Sequence, residues 1–414
     1  MKSRPPADPR IRDLASQLRR QSVSRRHLLR AGLGVGAAGA AAGLLSACAP
    51  PAPPAGAAAT LQLPTDASAD SPTLYFANWT AYMDTSADGS SYPTLQEFEK
   101  RTGITVTYSV DIDDNNTYFS KVAPLLQARS AFDPDIFVFT DWMANRVLRN
   151  QYAQPLDLIQ MPHATNLLPS LKEVPFDPGR HYSLPWQGGF GGIGWNRTKL
   201  GRDLRTIDDL WADDLKGRVV VLSEMRDTVG LVMQSQGVSV AGDFTSDQLQ
   251  KAMDVISGRI ADGHIRRVQG NAYLQELKSG NALAGIVWSG DMATLKAESP
   301  DVDWQFVLPE SGATLWTDNM MIPITSTHRG NALKLMDYYY EPAVAAQVAA
   351  YVNYVCPVVG AQEELAKTDP QLAESWTIFP SAGFLQQHNV QTFRALSADE
   401  DSEYSAMWAK VVGN

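Results

Sequence analysis

The chain has 414 residues, with 45 acidic and 35 basic side chains and a net charge of −10. Residues 1–47 hold nine Lys/Arg and two Asp/Glu, so the chain beyond them carries −17. That balance argues against nucleic acid and anionic headgroups as partners and is compatible with a cationic ligand.

The N-terminal region reads as an export signal. Residues 1–24 are polar and basic; SRRHLLR (Ser24–Arg30) follows, then a Gly/Ala-rich apolar run ending in Leu45-Ser46-Ala47-Cys48. Arg25 and Arg26, followed by Leu28 and Leu29, resemble a twin-arginine signal. The LSAC sequence matches a bacterial lipobox, which predicts cleavage before Cys48 and lipid on its thiol. The apolar run, Ala31 to Ala47, is shorter than the roughly 20 residues that span hydrocarbon. Residues 1–47 are therefore expected to be a signal peptide, and the Pro/Ala-rich residues 48–72 a flexible tether. The expected location is the outer face of the cytoplasmic membrane, or the periplasm. With Cys48 on lipid, Cys356 stands alone in the apolar run YVCPVV, and no internal disulfide is possible.

From position 73 onward short apolar strands alternate with helical patterns. Strands are expected at 73–78, 104–109, 135–139, 190–195, 218–222, 283–288 and 319–324. Helices are expected near 92–102, 116–130, 206–213, 226–236, 246–262 and 270–279, and after Asn319 at 329–341, 343–353 and 399–411. Thr206 with Asp209 and Thr245 with Gln248 have capping-box spacing, and Gly103 and Gly263 suit helix ends. The alternation predicts an α/β protein with mostly parallel sheets. A chain this long is expected to divide into two lobes.

Ligands of open α/β sheets collect beyond the carboxyl ends of strands. Trp79 and Tyr82 follow the first strand, Thr140, Asp141 and Trp142 follow IFVF, and Glu224 and Asp227 follow VVVL. Trp288 closes LAGIVW, and Trp316 and Asp318 are placed just before NMMIPI. Trp288 and Trp316 also fit core positions, and Asp227 also fits an N-cap for a helix starting near Thr228.

Catalytic and metal motifs fail on inspection. GFGGIG (Gly189–Gly194) matches GxGxxG but continues as an extended apolar segment instead of opening a helix. Asp111, Asp113 and Asn115 imitate a calcium loop whose sixth position is Asn116 and whose twelfth is Val122. The six histidines are scattered, and no nucleophile has a neighbouring base. The expectation is a binding protein, not an enzyme, with no cofactor and no metal.

The ordered pieces LYFANWTAY, QEFEKRTGITVTYS, DPDIFVF, VPFDPGRHYSLPW, TIDDLWADDLKGRVVVL, AGIVWSGD, VLPESGATLWTDNMMIP and ALKLMDYYYEPAVAAQVAAYVNYVCP resemble the spermidine/putrescine-binding proteins of bacterial ABC importers. The resemblance runs from about Leu74 to the C-terminus. It implies a two-lobed periplasmic-binding-protein fold of type II with the ligand in the cleft. Lobe 1 is expected at 73–183 with part of 315–370, and lobe 2 at 184–312 with part of the C-terminal segment. Residues 371–414 are expected to form a helical segment packed on the lobes. Crossovers are placed near His181–Gly188 and Pro309–Trp316. The ligand contacts it implies are Trp79, Thr80, Tyr82, Thr140, Trp142, Glu224, Asp227, Trp288, Trp316, Asp318 and Tyr354. A polyamine suits them, since carboxylates take its ammonium groups and aromatic faces its methylenes and charge. The implied partners are a polyamine and the membrane subunits of an ABC permease, with the receptor itself a monomer. Ala81 stands where the family's NWT sequence is commonly followed by an acidic residue, Asp141 is a candidate replacement, and Arg394 aligns with a cleft position. A receptor for another organic cation, such as a quaternary ammonium compound, is the alternative; an exported α/β hydrolase or a lipoprotein with an empty cleft are further ones.

Overall fold

The computed structural model describes residues 62–413. The signal peptide, Cys48 and most of the tether lie outside the described residues.

One curled mixed sheet runs through the molecule. Its strands are β1 (Thr73–Trp79), β2 (Thr105–Ile112), β3 (Ile136–Thr140), β4 (Leu184–Asn196), β5 (Val219–Leu222), β6 (Ile265–Gln269), β7 (Ala284–Trp288), β8 (Trp304–Val307) and β9 (Ala313–Met321). The order is β2-β1-β3-β9-β4-β7-β5-β6, with β8 added beside β4 and the short strand Val390–Gln391 beside β9. The flanks are parallel, as expected from βαβ units: β1 pairs with β2 and β3, and β5 with β6 and β7. The centre departs from the expected parallel pattern. There β9 is antiparallel to both β3 and β4, and β4 is antiparallel to β7 and β8. The physical reason is connectivity: β4 carries the chain from the first hydrophobic core to the second and β9 carries it back, so the two central strands run in opposite directions.

Two hydrophobic cores flank these central strands. The first is built on Phe76, Phe98, Phe137 and Met336 and includes Leu184 and Trp186 from the start of β4. The second is built on Val220, Val229, Ile256 and Ile286 and includes Ile193 and Trp195 from its end. A small cluster of Phe190, Leu308, Ala313 and Val355 sits between them. The thirteen residues of β4 are buried throughout, which is why the segment read as unbroken apolar sequence.

The helices that matter here are α1 (Pro93–Thr102), α2 (Asn115–Gln127), α3 (Asp141–Arg149), α4 (Met225–Ser235), α5 (Ser246–Ala261), α6 (Ser289–Glu298), α7 (Arg329–Tyr338), α8 (Pro342–Val352) and α9 (Ala398–Val412). Gly103 ends α1 in the left-handed region at φ 72°, and Thr245 with Gln248 forms the capping box of α5. Thr206 and Asp209 also form their box, but it opens a 3-10 segment, Ile207–Trp211, where an α-helix was expected. The sequence reading missed α3 and α6. Each starts on the residue after a strand, and a nine- or ten-residue helix gives a periodicity signal too short to stand out. Part of the expected tether is also folded. Asp66 Oδ2 accepts from Gly330 N at 3.0 Å, Ser68 Oγ from Asn331 N at 3.0 Å, and Ala67 N donates to the Thr327 carbonyl at 2.7 Å. The first two bonds satisfy amides at the start of α7, which have no carbonyl partner within the helix, and the third ties the segment to the turn before it.

Candidate functional site

A cleft of about 510 Å³ opens where the ends of β1, β3, β5 and β7 meet one face of β9. Ten of the eleven expected contacts line it: Trp79, Thr80, Tyr82, Thr140, Glu224, Asp227, Trp288, Trp316, Asp318 and Tyr354. Trp316 and Asp318 lie inside β9, not before a strand, because that strand begins six residues earlier than expected. Side chains two apart share a strand face. Thr314, Trp316 and Asp318 therefore stand in a row.

Each member of the row has a specific partner. The β9–β3 register sets Asp318 opposite Thr140. The Thr140 hydroxyl donates to Asp318 Oδ1 at 2.6 Å, and the Tyr82 hydroxyl donates to Oδ2 at 2.9 Å. Thr314 donates to Asp227 Oδ1 at 2.6 Å, and Trp288 Nε1 donates to Asp227 Oδ2 at 2.8 Å. Asp227 is thus held by side chains in the first turn of α4. The N-cap reading falls to Glu224 instead, which accepts from Arg226 N because the helix starts at Met225. The β9–β4 register sets Trp316 opposite Gly189. A Cβ at Gly189 would overlap the rings of Trp316 and Tyr354, and one at Gly191 would overlap Thr314 and Asp227. The glycines that imitate a nucleotide loop make room for the cleft's aromatic and acidic side chains.

The rings form a continuous wall. Tyr82 and Tyr354 have centroids 5.3 Å apart, Tyr354 and Trp316 5.4 Å, and Trp316 and Trp288 6.2 Å, at interplanar angles of 60–88°. Trp79 is buried and donates through Nε1 to the Val138 carbonyl at 3.1 Å.

Trp142 does not line the cleft. Its Nε1 donates to Glu224 Oε2 at 3.0 Å, and the Arg226 guanidinium lies 3.8 Å from its ring centroid, so it steadies Glu224 from behind. Asp141 is not a replacement carboxylate in the cleft. It accepts from Asn319 Nδ2 at 2.8 Å and lies near Arg180, while burial still pushes its pKa up to about 6. Arg394 is also elsewhere: it donates twice to Glu400 and stacks 4.3 Å over Phe244. Among the described residues no lysine or arginine lines the cleft.

Sequence reasoning missed Asp113, Asp114, Asn115, Ser223 and Asn271 as cleft residues. Three of these belong to the stretch set aside as a failed calcium loop. Asp114 caps α2 and accepts from the Ser223 hydroxyl at 2.8 Å. Missed too was Asp291 in the first turn of α6, whose carboxylate accepts from Tyr273 at 2.7 Å, Tyr354 at 2.9 Å and Asn271 at 3.3 Å. The AGIVWSGD segment contained it, but only its fold places it behind Tyr354.

Burial sets the electrostatics. Loss of water raises the pKa of Asp318 to about 7, against two hydroxyl donors that lower it, and the charges of Asp141 and Asp227 add to the rise. Glu224 also rises to about 7, chiefly through burial, although Arg226 opposes it. Asp227 and Asp291 are raised for the same first reason. The result is a water-poor acidic cleft with an aromatic wall, suited to an organic cation.

Comparison with known proteins agrees with this geometry. Residues 94–379 match the model of the bacterial extracellular solute-binding protein family. The spermidine/putrescine-binding periplasmic protein of Escherichia coli K12 is 26% identical over 344 residues, covering 81% of this chain and 91% of that protein. A Listeria monocytogenes structure provisionally assigned to a spermidine/putrescine ABC transporter is 26% identical, with a TM-score of 0.70 over 82% of this chain and 99% of that one. The Treponema pallidum lipoprotein TpPotD is 21% identical, with a TM-score of 0.68 over 83% and 100%. The match covers well over half of the sequence, and the chain belongs to the bacterial extracellular solute-binding protein family, as a substrate-binding protein of the ABC-transporter type and not an enzyme.

Proposed function

We propose that the protein is a receptor that closes on a polyamine such as spermidine or putrescine and delivers it to an ABC permease. One observation carries the reading. Asp227, Asp291 and Asp318 are buried carboxylates held only by neutral donors, with no ion-pair partner among the described residues, and they stand at an aromatic wall. Such charges are costly until a cation joins them. An ammonium supplies that charge, and the Trp and Tyr faces add roughly 0.5–2 kcal/mol of cation–π attraction. The names of the Escherichia coli and Listeria monocytogenes relatives support the choice of amine.

The two cores correspond to two lobes, and β4 and β9 serve as the hinge strands between them. Ten of the eleven residues expected from the sequence are the proposed contacts, and the eleventh, Trp142, acts through Glu224. The mature N-terminus is a lipid-modified Cys48 holding a monomeric receptor at the outer face of the cytoplasmic membrane; the lipoprotein nature of the Treponema pallidum neighbour supports this. Replacing Cys48 with serine should release the protein from membranes, and retention would refute the anchor. Replacing both Arg25 and Arg26 with lysine should stop export if the twin-arginine route is used.

Native mass spectrometry of purified protein, followed by calorimetric titration, tests the ligand. Spermidine or putrescine should bind more tightly than choline. Choline binding without amine binding would leave the receptor reading standing and replace polyamine with a quaternary ammonium ligand.

A further inference from the structure

Outside the cleft, a dense cluster of charge gathers around the buried Asp401. Asp401, in the first turn of α9, accepts from Arg146 Nε at 2.9 Å and Nη2 at 2.8 Å, from Arg149 Nη2 at 2.7 Å, and from Arg226 Nη2 at 3.0 Å. These groups come from both sides of the molecule. Arg146 and Arg149 sit on α3, whose Trp142, Met143 and Val147 belong to the first core. Asp401 sits on α9, whose Tyr404 and Trp408 belong to the second core, as do Met225 and Val229 beside Arg226. Arg149 Nη1 also donates to the Leu396 carbonyl, just before α9, at 3.1 Å.

The cluster reaches the cleft by two routes. Arg226 lies over the Trp142 ring, and Trp142 donates to Glu224. On the other route, Trp408 Nε1 donates to the Ser223 carbonyl at 2.7 Å, and the Ser223 hydroxyl donates to Asp114 at the start of α2.

We propose that Asp401 is an interlobe latch: from the C-terminal helix of one lobe it grips Arg146 and Arg149 of the other, holds the cleft closed, and through Arg226 and Trp142 positions Glu224 at the ligand. Opening the cleft separates α3 from α9 and parts Arg146 and Arg149 from the carboxylate they share, while Arg226, on the same side as α9, keeps it. The latch therefore acts on release. A charge pair that forms after encounter changes dissociation more than association.

Stopped-flow measurement with spermidine, on the full exported protein, reads this directly. Asp401→Asn should raise the dissociation rate by about tenfold or more and leave association within about twofold. Arg149→Gln, a milder change at a half-exposed position, should raise dissociation less and serves where Asp401→Asn does not fold. Glu400→Gln is the control, because it breaks the Arg394 pair on the adjacent residue, within the second core's side of the molecule. It should cost stability and leave dissociation unchanged. The kinetic arm rests on the polyamine reading, so a second arm does without ligand. Small-angle scattering of the ligand-free protein should show a larger radius for Asp401→Asn than for wild type or Glu400→Gln. If Asp401→Asn dissociates within twofold of wild type, or Glu400→Gln speeds release equally, or the ligand-free radius is unchanged, the latch is wrong. If wild type binds no amine while the radius still grows, the ligand is wrong and the latch stands.

Discussion

Two buried aspartates in this protein meet opposite fates. Asp401 is ringed by three arginines, and Asp318 by two hydroxyls. Burial alone would raise both carboxyls. At Asp401 the hydrogen bonds and charge of Arg146, with the charge of Arg226, hold the pKa below the usual carboxylate range. At Asp318 the hydroxyls fail to offset desolvation, and the pKa reaches about 7. The first is a charge completed within the fold. The second is a charge left for something else to complete, and this separates a structural cluster from a binding site more surely than residue type does.

Asp318→Asn tests that contrast most severely. It keeps the shape of the side chain, with one hydroxyl turning to accept from the amide, but removes the charge a ligand ammonium would meet. Losing one member of a desolvated charge pair costs about 2–5 kcal/mol, a fall in polyamine affinity of roughly thirtyfold to several thousandfold. The ligand-free protein should lose no stability at neutral pH, since the removed charge had no cationic partner. Calorimetry and thermal unfolding check the two halves. Affinity within twofold of wild type would place Asp318 outside the site.

The pH dependence comes next in size and carries opposite signs at the two aspartates. Asp318 and Glu224 titrate near 7 when empty, and a bound cation favours their charged forms. Binding at pH 6 should therefore release protons, and affinity should fall by up to roughly tenfold per pH unit per carboxyl as pH drops below 7. In the ligand-free protein these raised carboxyls hold protons in the folded state that the unfolded chain has lost. Their contribution to stability therefore declines as pH rises from the usual carboxylate range to about 7. Asp401, with its lowered pKa, stabilises above the usual carboxylate value, and that stabilisation is lost as pH falls through its folded value. Calorimetry in two buffers of different ionisation enthalpy counts the protons. Absence of proton release near pH 6 would overturn the assignment of these carboxyls as ligand partners.

Trp316→Ala should have a smaller effect. Losing roughly 0.5–2 kcal/mol of cation–π attraction weakens binding about two- to thirtyfold, with little change in its pH dependence. An unchanged affinity would make Trp316 a core residue. Smallest of all is Arg394→Ala. Since that guanidinium is bound to Glu400 and stacked on Phe244, polyamine affinity should stay within about twofold, and a marked gain would return Arg394 to the cleft.

Much of this was legible in the sequence. Apolar runs such as IFVF and VVVL have few alternatives to buried strands, and the residues that follow them fall at strand ends, where a sheet gathers ligands. Trp79, Tyr82, Thr140, Glu224, Asp227 and Trp288 were found in that way, and chain order together with local pattern sufficed for the α/β class. Other assignments required tertiary structure. Asp401 and its arginines are up to 255 positions apart, and nothing local distinguishes Asp401 from Asp399 on the same helix turn. Asp291 drew no attention in the sequence, because its helix was not expected and its partner Tyr354 is 63 positions away. Arg394 looked like a cleft residue from alignment and Asp141 from its place after a strand, and neither signal records the partner already holding a side chain. A strand or helix is specified by neighbours within a few residues, while the charge state of a buried carboxylate depends on donors and water exclusion that distant segments supply only when the chain has folded.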